Sequence, residues 1–219
     1  MQIGERHRNL RFLITAGGTR EYIDPVRFIS NASSGRMGLV LAGAALNAGH
    51  KVTLISASDL QPPVGVEFVG VDSAAQMFKA VKNFFGKCDC LIMAAAVSDY
   101  TPASPAKVKI KSGKSLTIKL KPTVDILKWA GQHKKKGQIV VGFALEDKNL
   151  RANAEKKLKE KNLDMIIANT PAAIGAERCT VQIKASDSFW SKIENATKTA
   201  IAKRIIAEVE KFLPAIAGG

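Results

Sequence analysis

Features typical of secreted, membrane and metal-binding proteins are scarce in this sequence. There are only three cysteines and three histidines in 219 residues. The odd number of cysteines and the wide spacing of the histidines do not predict a disulfide scaffold or a zinc site. No apolar run is long enough to cross a bilayer, and the polar N-terminal stretch lacks the apolar core of a secretory signal. These absences predict a cytoplasmic protein with reduced cysteines.

Aromatic residues are also scarce, at 6%, whereas the formal net charge is +14. Such a positive charge predicts a polyanionic partner, either a nucleic acid or smaller nucleotide and phosphate ligands. Many of the lysines lie in residues 107–121 and 134–136. No aromatic side chains interleave with them as stacking platforms for a single strand. We therefore expect nucleotide ligands and no nucleic acid. A nucleic-acid-binding module is the alternative, and it predicts steeply salt-dependent binding.

The sequence does contain alternating apolar strands and amphipathic helices. The clearest strands are predicted at residues 11–16, 52–56, 66–71, 90–96, 139–143 and 165–168. Helices are predicted at residues 38–48, 74–85, 123–133, 151–161 and 191–212, with Ser73 and Thr123 as N-caps. This alternation predicts an α/β fold of the Rossmann-like, doubly wound type, with a mainly parallel sheet and helices on both faces. We expect residues 1–219 to form a single domain that binds ligands at the carboxyl ends of the strands.

Two segments depart from this alternation. Residues 107–111 and 115–120 each alternate between polar and apolar residues, and Ser112 and Gly113 lie between them. This pattern predicts a β-hairpin that projects from the fold as an arm at about residues 100–121. Residues 180–184 are expected to form an edge strand.

A glycine- and serine-rich pair of segments flanks the first helix. The residues expected to contact phosphate there are Gly17, Gly18, Thr19, Ser33, Ser34 and Gly35. Glycines let backbone amides approach a phosphate, and the start of a helix favours an anion. A plain tight turn explains the first two glycines equally well. A nicotinamide-dependent reductase is a weaker alternative, because a long insert separates the segments and the second strand ends without an acidic ribose ligand.

Residues 14–38, ITAGGTREYIDPVRFISNASSGRMG, resemble the signature of the phosphopantothenoylcysteine synthetases. Segments similar to further motifs of that family follow in family order at residues 93–100, 109–111, 123–127, 141–146 and 164–169. The resemblance therefore covers nearly the whole chain. In many bacteria this enzyme is one half of a bifunctional protein whose other half is a flavin-dependent decarboxylase. No such half is seen in this sequence, so no flavin is expected.

The resemblance implies a phosphopantothenate–cysteine ligase of coenzyme A biosynthesis. Such an enzyme would use CTP to convert the 4'-phosphopantothenate carboxylate to an acyl-cytidylate, with release of pyrophosphate. It would then form the amide with cysteine to give 4'-phosphopantothenoylcysteine. CTP is expected because the motifs look bacterial, with ATP as the alternative. Mg²⁺ is expected as a cofactor carried mainly by the nucleotide phosphates. The family also implies a homodimer, with the arm at the interface, and no membrane partner.

The resemblance also implies individual residue roles. Asn31 matches the asparagine that holds the acyl-nucleotide, and Lys109 matches the lysine needed to form it. Further nucleotide contacts are implied at Met93, Ala94, Ala95, Asp99, Val124, Asp125, Ile126, Leu127, Phe143, Lys157 and Lys161. Val124 replaces the usual proline of the family, and Ser112 replaces a frequent lysine. No residue is assigned to the metal.

The residue types suit this chemistry independently of the resemblance. Every reactant is anionic, so cations and backbone amides must offset the repulsion. The amine of cysteine can attack an acyl-nucleotide without a nucleophile from the enzyme, which agrees with the absence of an obvious Ser-His-Asp or Cys-His set. Taken alone, however, Asn31 would be interpreted as a helix cap and Lys109 as one more exposed lysine. The resemblance reverses both interpretations.

Overall fold

The computed structural model describes residues 9–113 and 115–212. The strands are β1 (Arg11–Ala16), β2 (Arg20–Tyr22), β3 (Phe28–Ser30), β4 (Lys51–Ser56), β5 (Glu67–Gly70), β6 (Cys90–Met93), β7 (Tyr100–Pro102), β8 (Leu120–Pro122), β9 (Ile139–Leu145), β10 (Met165–Asn169), β11 (Arg178–Ala185) and β12 (Ser191–Thr197). The helices are α1 (Arg36–Asn47), α2 (Ala74–Phe85), α3 (Ile126–His133), α4 (Leu150–Glu160) and α5 (Lys198–Glu210). Within these residues, no helix has the length and apolarity needed to span a bilayer.

The central sheet has the strand order β12-β11-β10-β9-β6-β1-β4-β5. The six strands from β10 to β5 run parallel, whereas β11 and β12 are antiparallel additions at one edge. The chain leaves β1 on one side for β4 and β5, then returns to the other side of β1 at β6. The gap between β1 and β6 is therefore the topological switch point, where such sheets bind ligands. The predicted Rossmann-like, doubly wound fold is confirmed.

Helices cover both faces of this sheet. Helices α1 and α5 pack on one face against side chains such as Phe12 and Ile14. Helices α2, α3 and α4 pack on the other, where Leu13 and Leu91 point. Successive residues of a strand face opposite sides, so a strand covered on both faces is apolar throughout. That explains the mostly apolar sequence of β1 and the apolar run of β6.

Helix α2 has the predicted bounds, and its start shows why. The Ser73 hydroxyl accepts a hydrogen bond from the Gln76 N–H (3.3 Å), and the Gln76 side chain accepts one from the Ser73 N–H (3.4 Å). This capping box is readable from sequence. Helix α3 instead begins at Asp125, whose carboxylate accepts from the Lys128 N–H (2.9 Å). The predicted cap at Thr123 is wrong, because its hydroxyl donates to the Ser98 carbonyl (2.6 Å).

The prediction of a helix over residues 191–212 is wrong in its first third. Residues Ser191–Thr197 form β12, and only Lys198–Glu210 are helical. A bulge in β12 explains the error: Ile193 and Ala196 pair with Val181 and Cys179, so three residues of β12 span two of β11. Asn195 lies in this bulge with φ +43°. The bulge gives the strand a helix-like apolar spacing. Because β12 pairs with its outer side, β11 is not the edge strand predicted at residues 180–184.

The arm (residues 100–122) is present, but its predicted pairing is wrong. Its base is the antiparallel pair β7–β8, and no described residue of the stretches 107–111 and 115–119 belongs to a strand. Val108 and Leu116 are 74% and 52% exposed, so the alternating pattern has no surface to pack on. A two-stranded hairpin without such a surface is marginal.

Candidate functional site

A cavity of about 560 Å³ opens at the carboxyl ends of β6, β9 and β10. Its walls are the segment before α1, the segment after β6, the start of α3, the end of β9, a lysine of α4 and the lysine just after it, the segment after β10, and single residues of β11 and α5. This is the position that the doubly wound topology predicts for a ligand.

Most of the predicted nucleotide contacts line this cavity. They are Asn31, Ser33, Ser34, Gly35, Met93, Ala94, Ala95, Asp99, Val124, Asp125, Ile126, Leu127, Phe143, Lys157 and Lys161. The fold therefore gathers residues that are more than a hundred positions apart in sequence around one space. Gly17, Gly18, Thr19 and Lys109 do not line it.

Gly17 and Gly18 lie behind the cavity wall. A Cβ on Gly17, which has φ +86°, would lie 2.6 Å from the carbonyl carbon of Ala57. A Cβ on Gly18 would lie 2.6 Å from the carbonyl oxygen of Asn31. These glycines therefore permit close contact between backbone segments, including the two glycine- and serine-rich segments on either side of β2 and β3. The prediction that they touch the nucleotide directly finds no support in this placement.

Asn31 is held in a defined orientation at the cavity wall. Its amide nitrogen donates to the carbonyls of Ala96 (3.3 Å) and Val97 (3.2 Å). The Oδ1 atom has no hydrogen-bond partner within residues 9–113 and 115–212, so the side chain offers a ligand an acceptor. The same strand-end segment is fixed from behind by Thr19, whose buried hydroxyl accepts from the Ser98 N–H (2.9 Å).

Helix α1 begins at the cavity without a side-chain cap. Its N-cap residue is Gly35, with φ +80°, and its first turn has no acidic residue. The hydroxyls of Ser33 and Ser34 accept weakly from the N–H groups of Gly35 and Arg36, both at 3.4 Å. The free amides and the positive end of the helix dipole favour an anion here.

Lys157 on α4 and Lys161 just after its end both reach the cavity but differ in their partners. Lys161 Nζ lies 2.7 Å from Asp125 Oδ2. Lys157 Nζ donates to the Phe143 carbonyl (2.7 Å) and has no carboxylate within ion-pair distance in the described part of the chain. Burial lowers the pKa of Lys157 below its ordinary value, and the charge of Lys161 lowers it further. Lys157 is thus a partly desolvated cation that an anionic ligand would stabilise.

Asp125 is the carboxylate that forms an ion pair with Lys161. Burial alone would raise its pKa, but hydrogen bonds from Lys161 and the Lys128 N–H outweigh burial and lower it. Asp125 is therefore ionised and committed to Lys161 and to the start of α3. It is poorly placed to bind a metal.

Two other carboxylates lie in the cavity wall. They belong to Asp99 and to Glu146, which accepts from the Asn153 amide (2.8 Å). Across the residues that the structure describes, no group of three His, Cys, Asp or Glu side chains could hold a metal ion. Mg²⁺ commonly takes one or two carboxylates together with substrate phosphates and water. The cavity therefore fits a magnesium ion held mainly by a nucleotide and not by a protein cage.

Lys109 is exposed on the arm, outside the cavity wall. The arm nevertheless begins and ends at the cavity rim, because Asp99 and Thr123 both line it and the Thr123 N–H donates to the Asp99 carbonyl (2.9 Å). The structure therefore places Lys109 on a segment tethered beside the site.

The predicted site residues make up only about half of the cavity wall. The remaining residues are Ala32, Arg36, Met37, Ala96, Val97, Thr123, Leu145, Glu146, Asn169, Ala173, Ile174, Gly175, Cys179 and Lys198. Several directly follow strands, a signal that could have identified them. Lys198 starts α5, so the wrong start predicted for that helix hid it.

Comparison with known proteins agrees with this architecture. Residues 7–213 match the family model described as the DNA/pantothenate metabolism flavoprotein C-terminal domain. The chain belongs to this family. A relative from Bacillus subtilis (strain 168), the coenzyme A biosynthesis bifunctional protein CoaBC, is 44% identical over 204 residues, covering 90% of this chain and 50% of that protein. The chain thus spans about half the length of the curated relatives it matches.

Solved structures extend the family match to three dimensions. The crystal structure of the C-terminal domain of a CoaBC protein has a TM-score of 0.81 and 39% identity, covering 95% of this chain and 97% of that chain. A mutant of Cab2 in complex with phosphopantothenate-cysteine has a TM-score of 0.77, covering 94% of this chain and 88% of that chain. Its 19% identity shows the shared fold alone. The predicted resemblance to this family is confirmed.

Proposed function

We propose that this chain is a phosphopantothenate–cysteine ligase that works in coenzyme A biosynthesis. The observation that supports this most directly is the meeting of Asn31, the uncapped start of α1 and the desolvated Lys157 at one cavity, on a chain of this family. Relatives named as coenzyme A biosynthesis proteins match nearly its whole length. The Cab2 structure binds phosphopantothenate-cysteine, which is the proposed product.

In the first half-reaction, a carboxylate oxygen of 4'-phosphopantothenate attacks the α-phosphorus of CTP. An oxygen–phosphorus bond forms, and the bond to pyrophosphate breaks. Lys157 and the amides of α1 offset the negative charge gathered in the cavity, and Lys109 adds a cation at the transferring phosphorus. Mg²⁺ would neutralise phosphate oxygens, with Asp99 and Glu146 as the cavity carboxylates able to hold it.

In the second half-reaction, the cysteine amine attacks the activated acyl carbon and CMP leaves. The Asn31 amide nitrogen is already used by backbone carbonyls, so the side chain offers only Oδ1. Asn31 therefore orients reactants that carry an N–H group, including the incoming amine. This assignment explains why an asparagine, and not a charged residue, suits the position.

The activity test also decides the nucleotide. Purified protein is incubated with 4'-phosphopantothenate, cysteine and Mg²⁺, with either CTP or ATP, and pyrophosphate release is measured. We expect release with CTP and little with ATP. Preference for ATP would overturn the choice of nucleotide, and no release with either would overturn the ligase itself.

The two half-reactions separate the roles of Asn31 and Lys109. We expect Asn31→Asp to form acyl-cytidylate but to pass it poorly to cysteine, because a carboxylate would be repelled by the carbonyls of Ala96 and Val97. We expect Lys109→Gln to block acyl-cytidylate formation. Lys107→Gln, on the same arm, is the matched control. If both variants stall at the same step, the roles assigned here are wrong.

We also propose a homodimer. Large apolar side chains are exposed on the neighbouring β2–β3 and arm segments: Tyr22, Val26, Phe28, Tyr100, Val108, Leu116 and Leu120. Such a patch is typical of an interface. Light scattering should give the mass of two chains, and Val26→Glu should shift it toward one. A monomeric parent protein would contradict the proposal. The cytoplasmic location and the single domain over residues 1–219 stay predictions.

The reductase alternative gains no support from the structure. Strand β4 ends at Ser56, and the nearby Asp59 forms an ion pair with Arg20. The acidic side chain that usually binds the ribose of a nicotinamide cofactor is therefore not available at the end of β4. Binding of NADH or NADPH, detected as a change in the fluorescence of the cofactor on mixing with the protein, would favour the reductase instead.

A further inference from the structure

The arm is tied back to the turn between β2 and β3 by hydrogen bonds on both sides of Lys109. The Ile110 N–H donates to Asp24 Oδ2 (3.0 Å), and the Arg27 guanidinium donates to the Ile110 carbonyl. On the other side, the Ala106 N–H donates to the Ile23 carbonyl (2.8 Å). Both backbone polar groups of the residue next to Lys109 are therefore fixed from one turn.

Asp24 is the centre of this tether. Its side chain is fully buried, and its two oxygens divide their partners. Oδ1 accepts from the N–H groups of Val26 and Arg27, both at 2.9 Å, and so shapes the turn itself. Oδ2 accepts from Ile110 and from the Arg27 side chain. Oδ1 thus stabilises the turn, and Oδ2 binds the arm.

Burial alone would raise the pKa of Asp24, but these hydrogen bonds outweigh burial and lower it well below its ordinary value. Asp24 is therefore ionised throughout the neutral range. A buried carboxylate that accepts several hydrogen bonds is costly to leave half-satisfied. Between β7 and β8, the described residues of the arm belong to no helix or strand, so these few bonds have a large share in fixing its course.

We propose that Asp24 is a positioning residue for the first half-reaction, which holds Lys109 in register with the cavity through the backbone of Ile110. The inference rests on the proposed function, since it needs Lys109 to act at the transferring phosphorus. It adds a residue that no motif of the sequence analysis assigned. Asp24 itself touches no reactant.

Asp24→Asn separates the hydrogen bonds that Asp24 makes within the turn from the one that it makes to the arm. An asparagine can keep its oxygen toward the turn amides, but its NH₂ group then faces the Ile110 N–H and the Arg27 guanidinium, which are also donors. We expect formation of acyl-cytidylate to slow by roughly 10- to 100-fold, the penalty of a small displacement of a reacting group. Asp59→Asn is the matched control, because it breaks the ion pair between Asp59, which follows β4, and Arg20 of the same hairpin without touching Ile110.

A double-mutant cycle distinguishes positioning from general damage. In the Lys109→Gln background, Asp24→Asn should change the small residual rate of acyl-cytidylate formation by less than about twofold, because residues that act as a unit are not additive. Multiplicative losses would overturn the proposal, since they would show that Asp24 acts by some route other than Lys109.

Cleavage of the arm by trypsin tests the tether without any measurement of activity. Trypsin should cut the lysine-rich arm of Asp24→Asn several-fold faster than that of the parent protein or Asp59→Asn, because a released segment is open to proteolysis. Unchanged cleavage would overturn the tether. If the parent protein released no pyrophosphate while Asp24→Asn still released the arm, the proposed function would fail and the tether would stand.

A variant on the arm side covers the case in which Asp24→Asn does not fold. Ile110→Pro removes the N–H that Asp24 accepts and leaves the turn intact. Val108→Pro, on the other side of Lys109, removes an N–H that has no partner within the described residues. We expect Ile110→Pro to lower acyl-cytidylate formation at least 10-fold more than Val108→Pro, on the scale expected for a misplaced group. Equal losses in the two variants would contradict the proposal.

Discussion

The cavity wall and the arm are built by different means. The wall consists of strand ends and helix starts whose backbones are in close contact, and a Cβ on Gly18 would collide with Asn31. The arm beyond β7 and β8 has exposed apolar and lysine side chains and is fixed by a few hydrogen bonds to the turn at Asp24. The residues proposed to bind the nucleotide thus belong to the packed core, whereas Lys109 belongs to a tethered segment.

On the proposed function, this difference separates nucleotide binding from activation of the carboxylate. A wall made of packed backbone is complete before the ligand arrives and loses little entropy on binding. A lysine on a tethered segment can meet a phosphorus that changes geometry during the reaction. Changes to the wall should therefore affect folding or nucleotide affinity, and changes to the arm should affect the rate of activation. The following experiments test that division, from the largest expected effect to the smallest.

Shortening the arm should have the largest effect. Replacing residues 104–118 with a short Gly-Ser turn keeps β7–β8 paired but removes Lys109. We expect acyl-cytidylate formation to fall by at least ~100-fold, as for loss of a charge-stabilising group, while CTP affinity by calorimetry changes less than about threefold if the wall alone sets it. A parallel loss of affinity would show that the arm also binds the nucleotide.

Packing of the wall should control stability. A Cβ on Gly38 would lie 2.5 Å from Ala16 Cβ, whereas one on Gly43 of the same helix meets nothing closer than 3.9 Å. We expect Gly38→Ala to destabilise by about 1–3 kcal/mol through overpacking of α1 against β1. Gly43→Ala should be neutral or stabilising by up to about 1 kcal/mol. Thermal unfolding compares the pair, and equal melting temperatures would contradict the close packing.

Lys157 should link CTP affinity to pH. Its cation is present below its pKa and is lost as pH rises through it, and burial moves that loss to lower pH than for an exposed lysine. Affinity should therefore weaken at alkaline pH, by up to roughly tenfold for loss of one buried ionic hydrogen bond. Lys157→Arg should move the decline to higher pH, because arginine stays protonated.

The matched control for this titration lies on the same helix. Lys159 is exposed on α4, so Lys159→Arg should leave the pH profile of CTP affinity unchanged. A profile that Lys157→Arg does not move would show that another group governs the alkaline decline.

The smallest effect is expected on the arm itself. A Cβ on Gly113 would meet nothing within 4 Å. We expect Gly113→Ala to change the free energy of unfolding by less than about 0.5 kcal/mol. A larger decrease in the free energy of unfolding, measured in denaturant, would show that the arm is tightly packed at Gly113.

Local signals made the central fold predictable. The capping box of α2 and the apolar run of β6 each specify their element within a few residues of sequence, and the strand–helix alternation then specifies the sheet. The β12 error has a tertiary cause, because pairing with β11 and the bulge at Asn195 produce a helix-like spacing in a strand. The β2–β3 hairpin escaped prediction because its strands are short and partly polar.

The site was predictable in a different way. The resemblance named about half of the residues in the cavity wall, and many of these follow strands that the sequence shows. It could not show that Gly17 and Gly18 support the wall from behind, because that depends on contacts with Ala57 and Asn31. The tether at Asp24 was equally hidden: its partner Ile110 lies 86 residues further along the chain.

The late position of β11, β12 and α5 has a consequence for synthesis. A ribosome that has delivered only the residues up to β10 exposes a sheet whose outer strand has a bare edge, which invites pairing with other chains. The cavity at that stage also lacks the wall supplied by Cys179 and Lys198. The cavity wall is thus complete only after α5 has been synthesised and has docked on α1.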